Sequence, residues 1–146
     1  MAYQSILVPI DGSKTSLSVI DQAAELAKFC NSKVTVVQVM VLDPYIAAEY
    51  VTSTHLNDVI ERARQSILKN LEEAKAKFAA HGVSVETRLL DGQVIQHEIA
   101  KVADEVKADL IIMGSHGHTG LKKLFLGSVA QNILSEVHVP VLIVRQ

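Results

Sequence analysis

The sequence predicts a doubly wound α/β sandwich: a single five-stranded parallel sheet with helices on both faces. Short apolar runs rich in branched residues alternate with longer segments whose apolar positions recur at helical spacing. The runs are continuously apolar, the pattern of strands covered on both faces. Several close on turn-forming pairs such as Asp11-Gly12, Asp91-Gly92 and Gly114-Ser115. With 146 residues, 15.9 kDa and 49% hydrophobic content, the chain fits one domain over residues 1–146. A domain of this size buries roughly 68–70% of its unfolded surface, so it needs no disulfide framework or structural metal.

Ser5 to Ile10, SILVPI, is the first strand and is closed by Asp11-Gly12. Ser13 or Thr15 caps the next helix, in which Leu17, Ile20, Ala24 and Ala27 recur at helical spacing until Asn31-Ser32 ends it. Lys33 to Leu42, containing VTVVQVMVL, is the second strand, and two strands joined by a helix make a right-handed parallel unit. Asp43 to Ser53 carries Pro44 and no clear period, so it is a long loop of the kind that covers sites. From Thr54 to Ala80, Leu56, Ile60, Ala63, Ile67, Leu71, Ala74 and Phe78 form one stripe, and His81-Gly82 supplies the stop. Val83 to Leu90 is the third strand, and Val94, Ile95, Ile99, Val102 and Val106 mark the third helix. Asp109 to Met113, DLIIM, is the fourth strand and runs straight into GSHGHTG. A helix from about Gly127 to Val137 and a last strand, Pro140 to Val144, complete the alternation.

Fourteen Lys and Arg against sixteen Asp and Glu give a net charge of −2 and a pI near 6.3, which leaves no basic field for nucleic acid. Aromatics are 4% and Trp is absent, which removes the stacking platform of single-strand binders. MAYQSILVPIDGS lacks the basic n-region of a signal peptide, and no apolar stretch approaches the ~20 residues that span a bilayer. Cys30 is alone, which fits a reducing compartment. The expectation is a soluble, cytoplasmic protein with neither a nucleic-acid nor a membrane partner.

Ligands of such sheets sit outside the carboxyl ends of the strands, where the winding reverses, so the loops at 11–13, 41–53, 91–92 and 114–128 are the candidates. The fourth strand ends in Met113-Gly114-Ser115-His116-Gly117-His118-Thr119-Gly120, and Gly127-Ser128-Val129-Ala130 opens the next helix. Where side chains are missing, backbone N–H groups approach an anion closely, and a helix N-terminus adds unpaired donors and a favourable dipole. The competing reading is a connector whose glycines only satisfy turn dihedrals and whose Ser128 only caps a helix. The position of these residues, between a buried strand and a helix start at the ligand-binding end, favours phosphate.

With Gly114, Gly117, Gly127 and Ser128 in a Gly-x2-Gly-x9-Gly-Ser pattern, the chain resembles the ATP-binding branch of the universal stress proteins. ILVPIDGS at 6–13, KADLIIMGSHG at 107–117 and VPVLIV at 139–144 extend the likeness over nearly the whole chain. The resemblance implies an adenine nucleotide alpha hydrolase-like fold and a nucleotide-dependent stress-response regulator. It implies that Gly114, Gly117, Gly127, Ser128, Val129 and Ala130 surround the triphosphate and ribose, with His116 near phosphate. The adenine then lies near Ile10 and Val39, with Pro9 and Met113 lining the pocket. Asp11 faces the ribose or a bound metal; because a carboxylate repels unneutralised phosphate, Mg2+ or Mn2+ is expected with the ATP. Gly92-Gln93-Val94 departs from the many relatives that carry proline two residues after the glycine.

Other chemistries lack their motifs. There is no GxxxxGK[ST], no GxGxxG and no GxSxG, and a phosphoacceptor receiver domain would carry several acidic residues after its first strand where this chain has Asp11. His116, His118 and Cys30 do not have metal-ligand spacing, and no residue has the neighbours of a dedicated general base. Lys122 and Lys123 are read as a solvated face, and Ser115, Thr119 and Ser128 as candidate phosphoacceptors by proximity alone. Pro140 cannot donate to a sheet ladder and favours an edge, so the apolar last strand predicts a two-fold homodimer joined edge to edge through Val141 to Val144, as the resemblance also implies. The function expected is ATP binding that orders the 42–53 and 115–126 loops and changes a surface seen by a regulatory protein partner, with at most slow hydrolysis or self-phosphorylation. The alternatives are a metal-dependent ATP hydrolase or phosphotransferase working through Asp11, and an interaction module without nucleotide.

Overall fold

The alternating pattern is realised as β1 (Ser5–Pro9), α1 (Lys14–Cys30), β2 (Lys33–Val41), α2 (Ser53–Ala80), β3 (Val85–Gly92), α3 (Ile95–Glu105), β4 (Leu110–Gly114), α4 (Ser128–Glu136) and β5 (Val141–Val144). The computed structural model describes residues 2–41, 53–115 and 126–145. The five strands form one sheet in the order β3-β2-β1-β4-β5, and all pairings are parallel. The predicted α/β architecture is therefore the observed one.

Strand parity sorts the core. Ile6 and Val8 of β1, Val34 and Val36 of β2 and Ile112 of β4 face α1 and α2, where they pack with Ile20, Ala24, Leu71 and Phe78. Leu7, Val37, Ile111 and Met113 point the other way, onto Ile99 and Val102 of α3 and Ile133 of α4. Both faces are covered, which is why the strands read as unbroken apolar runs. The helices follow their punctuation: Ser13 caps α1 by accepting from the Ser16 amide at 3.1 Å, and Asn31 closes it in the left-handed region at φ 55°.

Element boundaries shift where hydrogen bonding outweighs hydropathy. Val83, read as the start of β3, lies in the turn that closes α2: its amide donates to the Phe78 carbonyl at 3.0 Å behind Gly82, whose φ is +79°. At its other end β3 runs past Leu90, because its ladder with β2 continues to the pair Val41 and Gly92. β5 starts at Val141, after Pro140, and lies at a sheet edge as expected.

Thr35 is fully buried on β2, and its hydroxyl has no hydrogen-bond partner among the described residues. Valine has the same shape without the polar atom. Thr35→Val is therefore expected to raise the unfolding free energy by about 1 kcal/mol, read as a rise in Tm of about 2–4 °C in a thermal melt.

Candidate functional site

The winding reverses between β1 and β4, the two central neighbours that are not consecutive in sequence. Their carboxyl ends open into a cleft of about 550 Å³ that also takes in the end of β2 and the starts of α3 and α4. Each wall has its own chemistry.

One wall is a turn. After β1 the chain passes Ile10, tied to β2 by its amide to the Val37 carbonyl at 2.8 Å, and reaches Asp11. The Asp11 carboxylate accepts from the Ser13 amide at 2.9 Å, which closes an Asx turn over Gly12 at φ +81°. The Asp11 amide in turn donates to the Ser16 hydroxyl at 3.3 Å. These bonds within residues 11–16 shape the turn and place Asp11 at the cleft.

The opposite wall is the start of α4. Gly127 occupies the N-cap position with no side-chain cap, and the first turn carries no acidic residue. The first backbone bond of the helix runs from the Gln131 amide to the Gly127 carbonyl at 3.1 Å, so the amides of Ser128, Val129 and Ala130 precede the ladder at the positive end of the dipole. Gly127 itself donates to the Ser115 carbonyl at 2.6 Å, and the Ser115 amide donates to Val144 at 3.1 Å, which pins this helix start to the ends of β4 and β5. Ser128 is the first helical residue and not the cap, so it does not cap α4 as the connector reading expected. Between the two walls lie Val37, Val39 and Val41 of β2, Ile95 and Ile99 of α3, and Met113 of β4, an apolar slot.

Every described residue of the sequence-derived site lines this cleft: Pro9, Ile10 and Asp11 from the β1 end, Val39 from β2, Met113 and Gly114 from β4, and Gly127, Ser128, Val129 and Ala130 from α4. His116 and Gly117 lie outside the described residues, as do His118, Thr119, Lys122, Lys123 and most of the 42–53 and 115–126 segments. The sequence reading missed Val37 and Val41, although both share a face with Val39 by strand parity. It also missed Ile95 and Ile99, which α3 brings in despite the absent proline, and Ser16 and Gln38. Of the four buried polar residues described, Ser16, Gln38 and Ser115 line the cleft and only Thr35 does not.

The profile of the universal stress protein family matches residues 2–145. The chain belongs to this family. Universal stress protein MJ0531 of Methanocaldococcus jannaschii is 34% identical over 145 residues, covering 99% of this chain and 83% of the relative. Universal stress protein YxiE of Bacillus subtilis is 34% identical over 148 residues, covering 98% of this chain and 99% of the relative. Among solved structures, hypothetical protein MJ0577, a universal stress protein of M. jannaschii, has a TM-score of 0.86 at 28% identity and covers 100% of this chain and 98% of that one. A universal stress protein in complex with cAMP has a TM-score of 0.70 at 29% identity, with 99% of this chain and 98% of that chain covered. Among the described residues of this universal stress protein, no helix is long and apolar enough to cross a membrane.

Proposed function

We propose that this universal stress protein binds an adenine nucleotide, ATP with Mg2+ or Mn2+, in the cleft at the β1–β4 switch point, and that it acts as a nucleotide-dependent stress-response regulator. The observation that carries the proposal is the placing of an apolar slot, the Asp11 carboxylate and the uncapped start of α4 along one cleft. These three chemistries, an apolar slot, a hydroxyl acceptor and unpaired backbone donors, suit the base, sugar and phosphates of a nucleotide. The cAMP-bound relative at 29% identity supports an adenine nucleotide as the ligand class.

The donor set suits a metal that arrives with the phosphates. Asp11 is a single carboxylate, and the described residues gather no group of three or more His, Cys, Asp or Glu side chains. Mg2+ keeps most of its waters and is held by one or two carboxylates plus substrate phosphates, so Asp11 would complete such a shell rather than build one. A cation held there would neutralise the phosphates beside the carboxylate.

Isothermal titration with ATP and Mg2+, together with mass spectrometry of the nucleotide released on denaturation, tests the reading. An adenine nucleotide in the released fraction and saturable binding are expected. No heat of binding at millimolar ATP, with nothing released, would leave an interaction module without nucleotide.

The sheet edges support a two-fold dimer through Val141 to Val144. The β3 edge is charged: Arg88 pairs with Glu86 at 3.3 Å and Glu105 at 3.2 Å, and Lys33 reaches Glu86 at 3.9 Å. The β5 edge is VLIV, with Leu142 exposed. Charge blunts one edge against pairing and the other is left apolar. Sedimentation velocity at tens of micromolar is expected to give the mass of two chains; the mass of one would remove the dimer.

A further inference from the structure

Gln38 interrupts the apolar run of β2, and it is 8% exposed at the cleft. It sits on the face of β2 that looks toward α1 and α2, one position beyond Val37 and so beside Ile10 and the Asp11 turn. Its Oε1 accepts from Asn70 Nδ2 of α2 at 3.2 Å. That bond orients the amide and leaves the Nε2 donor as the group Gln38 offers to the cleft. Asn70 is held from its other side too, because its amide packs where a Cβ of Gly12 would stand. Ser16, also at this end of the cleft, spends its hydroxyl on the Asp11 amide and the Ser13 carbonyl, so the side chains turned to a ligand here are an acceptor, Asp11, and an oriented donor, Gln38.

A hydroxyl is the group that both gives and takes a hydrogen bond. We propose that Gln38 is a specificity residue for the sugar: Asp11 accepts from a ribose hydroxyl while Gln38 Nε2 donates to the same vicinal pair, so the site prefers ribonucleotides to deoxyribonucleotides. This inference rests on the nucleotide reading above and deepens it. Asn70 is a positioning residue, acting through Gln38. A site built to bond a hydroxyl rejects the analogue that lacks it, because the buried polar groups are then left unpaired.

The test is calorimetric titration of the full chain with AMP, 2′-deoxyAMP and 3′-deoxyAMP. The wild type is expected to bind AMP about tenfold more tightly than at least one deoxy analogue. Gln38→Leu removes the donor, and Gln38→Glu keeps the acceptor for Asn70 while exchanging the donor for an acceptor. Both are expected to bring the ratio of AMP to deoxy affinity close to one by weakening AMP alone, and Asn70→Ala to bring it part of the way. Gln38→Glu guards against misfolding, since it preserves chain length and the α2 contact. Equal binding of all three nucleotides by the wild type, or an equal loss for all three in both Gln38 variants, overturns the sugar assignment and leaves nucleotide binding standing. Absence of binding for every nucleotide overturns both.

Discussion

Replacing Gly127 by valine is expected to weaken adenine nucleotide binding at least about a hundredfold, close to 2.7 kcal/mol, with little change in Tm. The two halves of this expectation come from different properties of one residue. Gly127 has φ −62° and ψ 158°, a backbone conformation that valine adopts without strain, so the change costs no backbone strain. Yet the residue is buried at the cleft, and it is the cap before the free amides of Ser128, Val129 and Ala130. A branched side chain there stands between those donors and a phosphate. Titration of wild type and variant, with thermal melts of both, checks it; wild-type affinity in Gly127→Val would move the anion away from the start of α4.

Gly12→Val is expected to act on both stability and binding, lowering the unfolding free energy by about 2–3 kcal/mol. Gly12 lies at φ +81°, where a β-branched residue is strained whatever the space around it. Space is lacking too, since a Cβ would overlap the Asn70 amide, which Gln38 holds in place. Displacing Asn70 frees Gln38, and distorting the turn moves the carboxylate that Ser13 fixes. Chemical denaturation gives the stability change. Adding Asn70→Ala should recover the overlap but not the strain, so the double variant is expected to regain only part of the loss. Full recovery would show that the backbone at Gly12 carries no cost.

Legibility divided along a physical line. The stripe from Leu56 to Phe78 and the runs SILVPI and DLIIM were readable because each reports how its own segment is covered. The boundary at Val83 was not, because its hydropathy fits a strand while its amide is taken by Phe78 of α2. The glycines and Ser128 near α4, and Asp11 at the end of β1, were readable as residues of the switch-point cleft because missing side chains and strand ends are local signals. Ile95 and Ile99 read as ordinary core positions of an amphipathic helix, and nothing in their own segment tells which of its apolar residues face a cleft.

Gln38 shows the limit most sharply. A polar residue in an apolar strand is visible in the sequence, but its partner lies 32 residues away on α2, and its meaning depends on a glycine turn from a third segment. By itself the sequence determined the alternation of strands and helices, the parallel winding and the edge position of the last strand, since periodicity and turn chemistry act within a few residues, while most of the cleft lining came from the resemblance to the family. Only the tertiary structure decided the strand order, which buried polar groups meet in one cleft, and that Ser128 begins α4 rather than capping it. These depend on contacts between distant segments, and such contacts form only once the packing of the helices on the sheet has fixed where each strand ends.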